Sequence, residues 1–420
     1  MFKRILILTG AAVLGFAACL GSIRMAGAWS LFPNRDLERS SAYIREVLKL
    51  VNENYVDAGA SRYDALARLS IHGMVDSLDP HSEVLESKDN QELEEDLDGE
   101  YGGIGVEVEM HHGAYSVVAP IPGSPGDRAG ILLGDQIVSI DGKRVGSSVP
   151  MDTIVNRLRG KPHTHVRLGL VRPANGHRLD LDLVREVIKI VSVRGARVIE
   201  GDIGYIQIRE FSDHTGEQFG EALNQLLKKG IDGLVIDLRN NPGGLLDAAV
   251  DVAEPFFKKD ELIVYTQGRK PADRENYLSE TEGDPLTIPV AVLINQDTAS
   301  AAEIVTGALK DTGRAVVVGE RSYGKGSVQS IFKLKNGEGL RLTTAHYFTP
   351  SGTKIHAKGI APQVEVVMSP EDDRKLERQT SRPEITDPAD FRERFGFAPI
   401  EDRQLAAAVD VLRAARLFDR

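Results

Sequence analysis

The sequence has 420 residues, of which 41% are hydrophobic and 27% are charged, as is ordinary for a soluble globular protein. At about 150 residues per domain, two or three domains are expected. The net charge of −11, without a long basic run to offset it, argues against a general nucleic-acid-binding protein.

Residues 1–28 have the layout of a secretory signal peptide. Basic residues within positions 1–4 precede an apolar segment at 5–20, and "AGA" at 26–28 fits the small-x-small cleavage pattern. The apolar segment is short for a membrane-spanning helix, but an uncleaved anchor is an open alternative. We predict an exported protein, periplasmic or held at the periplasmic face of the inner membrane.

The single cysteine, Cys19, lies in this segment, in the sequence "FAAC". Lipidation at Cys19 is a second alternative, although phenylalanine fits a lipoprotein signal poorly. A mature chain without cysteine has no disulfide, no thiol nucleophile and no cysteine-ligated metal.

Residues 37–98 are predicted to form an N-terminal helical region. Ile44, Val47, Leu48 and Val51 have the i, i+3, i+4, i+7 spacing of one helix face. The Asp-Pro pair in "DSLDPHS" is expected to end the next helix. The acidic segment "QELEEDLDGE" is typical of a solvated face.

Residues 99–185 change to short strands and turns, with a helix predicted at Met151–Leu158. This region resembles a PDZ domain: "YGGIGVEV" occupies the place of the carboxylate-binding loop, and "SPGDRAGILLGDQIVSIDG" matches the body of the domain. The resemblance implies that backbone N–H groups of the loop bind a peptide's terminal carboxylate while the adjoining strand edge pairs with its main chain. The loop residues are Gly102, Gly103, Ile104, Gly105 and Val106.

Residues 186–367 alternate strands with helices, which predicts an α/β layer architecture. Buried strands are expected at 203–208, 233–238 and 315–319, among others. Residues 368–420 read as a charged linker or mobile arm followed by an amphipathic helix at 405–417. That last helix is predicted either to pack against the core or to form an oligomer contact.

The stretch "DTASAAEIVTG" contains Ser300, for which two roles are considered, a helix N-cap and a nucleophile. Ser300 and Glu303 have the spacing of a capping box, so the serine could simply begin a helix. As a nucleophile it would need a base to take its proton. Nothing near His346 marks that histidine as a base, so a structural role is the better interpretation for it.

Lys325 lies between two glycines in "RSYGKGSVQ", directly after a predicted strand. A base lysine must be neutral, so its pKa would have to fall from about 10.4 by roughly 3 units, or about 4 kcal/mol. Burial in an apolar site can supply such a shift. An ordinary exposed loop lysine is the alternative.

Acyl transfer also needs donors for the developing oxyanion. Ala301 offers an N–H at the predicted helix start, and the "NPGG" turn offers Gly243 or Gly244. Both segments follow strand ends, where open α/β sheets place their sites. A plain strand-to-helix turn accounts for the two glycines equally well.

The chain resembles the carboxyl-terminal processing peptidases, or tail-specific proteases, which are S41-type serine proteases with a PDZ domain. The motifs are "DLRNNPGGLL", "TASAAEI" and "GERSYGKGSVQ", within a likeness running from "SLDPHSEVL" to "YFTPSGTKI". The resemblance implies an α/β crotonase/ClpP-like protease core with an inserted PDZ domain and N- and C-terminal helical segments. One departure is Gln363, where the family usually has aspartate, and we expect it to affect the chemistry little.

On this resemblance, Ser300 is the nucleophile, Lys325 is the general base, and Gln329 orients the lysine. Ala301 and either Gly243 or Gly244 form the oxyanion hole. No metal or other cofactor is implied.

The predicted function is that of an exported serine endopeptidase. It recognises protein C-termini through its PDZ domain and hydrolyses peptide bonds through an acyl-enzyme. The expected partners are protein substrates with accessible C-termini, an activating protein, and further copies of the chain joined through terminal helices. An inactive PDZ scaffold or chaperone and a crotonase-type acyl-CoA enzyme are the alternatives.

Overall fold

The computed structural model describes residues 35–111, 113–173, 175–380, 385 and 387–418. The predicted signal peptide and Cys19 lie outside these residues. The chain divides after Val84 into two compact units. Among the described residues, no helix has the length and apolar character needed to cross a membrane.

The described part of the first unit contains two helices, α1 (Arg35–Asn54) and α2 (Tyr63–Asp76), within the region predicted to be helical. None of the residues of α1 is buried. Ile44 and Val47, on the predicted apolar face, are 44% and 41% exposed. An amphipathic face is therefore present on α1 but uncovered. The short strand β1 (Glu83–Leu85) stands at the junction of the units.

The second unit begins with α3 (Ser87–Asp98) and continues into a PDZ-like domain. The elements of this domain are β2 (Glu100–Gly103), β3 (Val106–His111), β4 (Ala114–Pro120), α4 (Pro125–Arg128), β5 (Gln136–Ile140), β6 (Lys143–Arg144), α5 (Met151–Leu158), β7 (His165–Arg172), β8 (His177–Val184) and β9 (Glu186–Lys189). Strands β3-β4-β5-β7-β8 form an antiparallel sheet in that order, with β6 on β5, while β2 pairs with β9. The helix predicted at Met151–Leu158 is confirmed, and Ile154 and Leu158 bury its apolar face in the domain core.

A buried ion pair stabilises this domain. The Asp135 side chain is fully buried and accepts two hydrogen bonds from the Arg172 guanidinium, each 2.8 Å long, and one from the Leu132 N–H. Burial acts to raise the pKa of the Asp135 carboxyl, but these bonds hold it below its usual value.

We expect Asp135→Asn to lower the free energy of unfolding by roughly 1–3 kcal/mol near neutral pH, because a charged hydrogen-bond partner is lost. Folding lowers the pKa of the Asp135 carboxyl, so its ionised form stabilises the protein fully at pH values above its ordinary pKa of 3.8. This stabilisation is lost as the pH falls below 3.8 and through the lower pKa of the folded protein. Thermal melts from pH 7 to pH 3 should therefore show the wild type and variant converging at acid pH. A constant difference would contradict the prediction.

The core that follows alternates strands and helices. Its elements are β10 (Val193–Ile199), β11 (Ile203–Ile208), α6 (Thr215–Lys228), β12 (Gly233–Asp237), α7 (Leu246–Ala253), a 3-10 turn (Glu254–Phe256), β13 (Leu262–Gln267), a second 3-10 turn (Pro271–Asp273), β14 (Arg274–Leu278), β15 (Val290–Ile294), α8 (Ala301–Asp311), β16 (Ala315–Gly319), β17 (Ser327–Lys333), β18 (Gly339–Phe348) and β19 (Val364–Glu365). The predicted strands at 203–208 and 315–319 are confirmed, and the strand predicted at 233–238 ends one residue earlier, at Asp237.

Two sheets build the core. One has the order β10-β11-β12-β15-β16-β19 and is parallel except for β10, while β17, β18, β13 and β14 form an antiparallel sheet. Successive side chains of a strand point to opposite faces. Residues such as Ile236 and Val292 therefore pack under α6, α7 and α8, while their neighbours Val235 and Leu293 face the opposite side.

The segment predicted to be a charged linker is helical. It contains α9 (Pro370–Thr380), α10 (Pro388–Phe395) and α11 (Arg403–Phe418). Helix α9 forms because the Ser369 hydroxyl accepts a hydrogen bond from the Asp372 N–H, acidic residues occupy the first turn, and Leu376 is buried. The amphipathic helix predicted at 405–417 is confirmed as α11, which covers the second face of the parallel sheet through Ala408, Val409 and Leu412.

Candidate active site

Three turns meet at one edge of the parallel sheet. They follow the carboxyl ends of the adjacent strands β12, β15 and β16, and they carry the glycines of "NPGG", Ser300 and Lys325. Because parallel strands end at the same edge, residues distant in sequence converge there.

Ser300 lies on a strained strand-to-helix turn at the start of α8. Its φ of 54° and ψ of −118° are rare for a residue other than glycine. Such a turn is how α/β hydrolases present a nucleophilic serine. The Ser300 N–H donates to Glu303 Oε2 at 3.0 Å, so the glutamate half of the predicted capping box is confirmed. The serine is 8% exposed.

The Glu303 carboxylate also binds the turn that carries the lysine. It accepts hydrogen bonds from the N–H groups of Gly324 and Lys325, each at 2.8 Å, and from the Ser322 hydroxyl. Burial raises the pKa of the Glu303 carboxyl, and the hydrogen bonds oppose that shift. One buried carboxylate thus holds the backbones of Ser300 and Lys325 together.

The glycines that flank Lys325 allow close backbone packing. A Cβ on Gly326 would lie 2.2 Å from the His356 N, and Gly324 has a φ of +90° that favours glycine. Lys325 itself is partly buried. The neighbouring turn at 356–359 therefore lies directly against the lysine loop.

The "NPGG" turn lies directly against Ser300. A Cβ on Gly243 would come within 2.5 Å of the Ser300 Cβ, and one on Gly244 within 2.0 Å of the Phe211 carbonyl oxygen. The Asn241 carbonyl accepts the Ala299 N–H at 2.9 Å, which fixes the turn to the serine loop. Both positions require glycine because neighbouring atoms approach the backbone too closely for a side chain. The turn is also a strand-to-helix connection, as predicted.

The structure distinguishes the two glycine N–H groups. The Gly243 N–H donates to Asn241 Oδ1 at 2.8 Å and is therefore occupied. Within the described chain, the N–H groups of Gly244 and Ala301 make no hydrogen bond. Of the predicted oxyanion donors, these two are the ones available to a substrate.

Gln329 and His346 lie on neighbouring strands. The Gln329 side-chain amide, on β17, donates to Ser327 Oγ and Thr343 Oγ1, at 3.0 and 3.2 Å. The orienting role predicted for Gln329 therefore stays a prediction. His346, on β18, lies with Nδ1 3.3 Å from the Gly326 carbonyl oxygen, and its ring centroid is 4.7 Å from that of His356, with the rings tilted by 38°.

Gln363, the departure from the family pattern, lies just before β19. Its side-chain oxygen accepts the Val317 N–H, and its own N–H donates to the Val317 carbonyl. The glutamine therefore pairs with strand β16 at the edge of the parallel sheet.

The PDZ-like domain has a cavity of about 370 Å³ between β3 and α5. The predicted loop residues Gly103, Ile104, Gly105 and Val106 line it, with apolar side chains such as Val155 on the helix. Gly102, also predicted to belong to the loop, is not among the lining residues, and a Cβ there would lie 2.1 Å from the Gly160 carbonyl oxygen.

Sequence reasoning did not single out Arg159, which is the one cationic side chain among the residues lining this cavity. Its guanidinium stacks over the Tyr101 ring, 4.3 Å from the ring centroid. A second cavity of about 560 Å³ shares Tyr101, Glu107 and Arg159 with the first and extends to Gln207 and Arg209 of the core. The two cavities thus adjoin at Arg159.

No cluster of three or more histidine, cysteine, aspartate or glutamate side chains suited to a metal ion occurs among the described residues. The sheet edge holds a serine on a strained turn, and the adjoining loops offer two backbone N–H donors, which are groups that acyl transfer uses.

Comparison with known proteins identifies two family matches along the chain. Residues 202–366 match peptidase family S41, and residues 116–172 match the PDZ domain. The carboxy-terminal-processing protease of Bartonella bacilliformis is 41% identical over 301 residues, which are 71% of this chain and 68% of that protein. The carboxy-terminal processing protease CtpB of Bacillus subtilis is 35% identical over 336 residues, which are 79% of this chain and 69% of that protein.

A solved structure, the photosystem II D1 C-terminal processing protease, is 29% identical, with a TM-score of 0.45 over 77% of this chain and 92% of that chain.

Fold and relatives define a serine-type endopeptidase with a crotonase/ClpP-like α/β core, a PDZ domain, and helices at both ends. The chain belongs to peptidase family S41, the carboxy-terminal processing proteases. The predicted family, fold class and enzyme class are confirmed. The scaffold and acyl-CoA alternatives are set aside.

Proposed function

We propose that the protein is an exported endopeptidase that binds the C-termini of protein substrates in its PDZ domain and cleaves them with a Ser300–Lys325 dyad. The observation that carries the dyad is the buried Glu303 carboxylate, which accepts hydrogen bonds from the backbone N–H groups of both residues. Because both loops are hydrogen-bonded to one carboxylate, the backbones of Ser300 and Lys325 keep fixed positions relative to each other, as a nucleophile and its base require.

In the first half-reaction, neutral Lys325 takes the Ser300 hydroxyl proton while Oγ attacks the substrate carbonyl. The Ala301 and Gly244 N–H groups stabilise the tetrahedral oxyanion, because neither makes a hydrogen bond to a described residue and the turn that carries Gly244 packs against Ser300 through Gly243. The intermediate then collapses to the acyl-enzyme, and the Lys325 ammonium gives its proton to the leaving amine. Gln329 orients the lysine side chain.

In the second half-reaction, Lys325 takes a proton from water, which attacks the ester. Collapse of the second tetrahedral intermediate releases the new carboxylate and returns the proton to Ser300. Lys325 thus transfers the proton in every step.

Recognition of a free C-terminus is supported by the cavity in the PDZ domain. Backbone amides of the loop at 103–106 and the Arg159 guanidinium suit a carboxylate, while Val155 and Leu158 suit an apolar last side chain. The adjoining cavity leads from Arg159 towards Gln207 of the core, which supports delivery of the bound chain to the sheet edge.

We expect a peptide with a free C-terminal carboxylate to be cleaved with a kcat/KM roughly tenfold or more above that of its C-terminal amide, because charge-assisted hydrogen bonds are lost with the charge. Arg159→Gln should remove most of this preference. Arg178→Gln, on the exposed surface of the same domain, is the control and should keep it. Equal cleavage of acid and amide by the wild type would contradict carboxylate recognition.

Self-association through terminal helices is supported by α1. Leu37, Tyr43 and Leu50 are between 53% and 69% exposed, and Ile44 and Val47 are more than 40% exposed. An uncovered apolar face of this kind fits a second copy of the chain. Sedimentation of wild type and of Ile44→Asp/Val47→Asp should show a smaller species for the variant, and an unchanged species would exclude this face.

Export is supported by the signal-peptide layout at 1–28. Expression in a Gram-negative host, fractionation and N-terminal sequencing should find the chain outside the cytoplasm and beginning near Trp29 if the signal is cleaved. A cytoplasmic chain that keeps Met1 would contradict this part of the proposal. An activating partner protein remains part of the proposal, to be sought by copurification with the Ser300→Ala variant.

A further inference from the structure

The Arg239 side chain is buried, two residues before the "NPGG" turn begins at Asn241, and all five of its side-chain N–H donors are used. Two donate to the Asp237 carboxylate at 2.9 and 2.6 Å, and two donate to the Asp402 carboxylate at 2.9 and 2.8 Å. The fifth donates to the Gln404 side-chain oxygen at 3.1 Å. Arg239 is 5% exposed and Asp237 is 0% exposed.

Arg239 and Asp237 each favour the charged form of the other. Burial acts to raise the pKa of the Asp237 carboxyl, but Arg239 and the Tyr205 hydroxyl hold it below its usual value. Burial acts to lower the pKa of Arg239, and Asp237 and Asp402 raise it well above its usual value. A buried cation that fully uses its donors is stable only while both carboxylates stay in place.

Two of the Arg239 partners come from the end of the chain. Asp402 immediately precedes α11 and accepts the Leu405 N–H, and Gln404 is in the first turn of the helix and donates to the Val366 carbonyl. Helix α11 packs on the sheet face opposite to α6, α7 and α8. Its first turn therefore reaches Arg239 from outside the matched family segment, residues 202–366.

Arg239 is followed at once by the residues that shape the oxyanion turn. The Asn240 N–H donates to Asn295 Oδ1 at 2.9 Å, and the Asn295 side chain donates back to Asn240 Oδ1 at 2.7 Å. The Asn241 carbonyl accepts the N–H of Ala299, the residue before Ser300. A shift of Arg239 would thus displace the turn of Gly244 relative to Ala301.

We infer that Asp402 and Gln404 are positioning residues for peptide hydrolysis. Through Arg239 they hold the "NPGG" turn at the spacing from Ser300 and Ala301 at which the oxyanion is stabilised. The start of the C-terminal helix then positions the oxyanion turn, while the rest of the helix covers the sheet. This inference rests on the proposed function, because it presupposes hydrolysis at Ser300.

The test compares Asp402→Asn with Asp410→Asn in the full chain. Asp410 is on the same helix, and its side chain is 77% exposed. Initial rates of β-casein cleavage give kcat and KM, and a fluorophosphonate that phosphonylates the serine titrates active sites. For Asp402→Asn we expect kcat per titrated site to fall on the order of 10-fold to 100-fold with little change in KM, because a small misplacement suffices. Asp410→Asn should match the wild type.

The rate constant of phosphonylation should fall together with kcat, because the phosphonate adduct uses the same backbone donors. A merely structural Asp402 would reduce the number of titrated sites and leave kcat per site unchanged, which would overturn the inference. If Asp402→Asn does not fold, Gln404→Leu replaces it in the test, because this substitution removes one of the five acceptor oxygens around Arg239. We then expect a smaller fall in kcat per titrated site. An unchanged kcat per site would again overturn the inference. Cleavage by Ser300→Ala would instead overturn the proposed function, and this inference with it.

Discussion

Ser300→Ala and Lys325→Met are each expected to lower kcat by about 10⁴-fold or more, because residues of a nucleophile–base unit act together and losing one loses most of the chemistry. KM should change little, since neither side chain belongs to the PDZ cavity. The measurement is the cleavage of an unfolded protein substrate by purified variants, with peptide products quantified by mass spectrometry.

Lys358→Met is the matched control for the lysine. Lys358 is exposed and lies in the turn packed against the Lys325 loop, so its replacement removes a nearby positive charge without touching the proposed base. Thermal unfolding should be similar for all three variants and the wild type. Wild-type kcat in a folded Lys325→Met variant would exclude the lysine as the base.

Glu303→Gln should weaken both catalysis and folding. Its carboxylate accepts four hydrogen bonds, from the N–H groups of Ser300, Gly324 and Lys325 and from the Ser322 hydroxyl. An amide has one acceptor oxygen in place of two, so buried donors would face an NH₂ group. We expect a loss of roughly 1–3 kcal/mol in the free energy of unfolding, and a fall of about 100-fold in kcat because the two loops are no longer fastened together.

Glu221→Gln, at an exposed position of α6, makes the same chemical change away from the site and should leave both quantities unchanged. Denaturant unfolding followed by kinetics on the folded fraction separates the two effects of Glu303→Gln. If this variant loses stability but keeps its kcat, the carboxylate serves the fold alone.

The regular elements of the core could be predicted from the sequence because their apolar residues repeat strongly. Ile203–Ile208 is buried throughout and Ala315–Gly319 is buried except for the half-buried Val316, which is typical of parallel strands covered on both faces. Helix α9 was missed because its sequence is highly charged and buries only Leu376. The Ser369 cap and the burial of Leu376 stabilise this helix, and neither can be recognised from amino-acid composition.

Individual residues of the candidate site could be predicted only where they lie within a recognisable sequence motif. The capping-box spacing revealed that Glu303 reaches the Ser300 N–H, but its bonds to Gly324 and Lys325 depend on tertiary structure that no local pattern encodes. The bond between Arg239 and Asp402 joins residues 163 positions apart. The choice of Gly244 over Gly243 required knowing that Asn241 already accepts the Gly243 N–H.

The most direct test of the dyad is covalent labelling of the wild-type protein with a fluorophosphonate, followed by digestion and mass spectrometry. A serine made nucleophilic by a neighbouring base forms a stable phosphonate adduct. We expect one adduct per chain, on Ser300, with labelling absent in Ser300→Ala and strongly slowed in Lys325→Met. An adduct on another residue, or labelling of Lys325→Met at the wild-type rate, would contradict it.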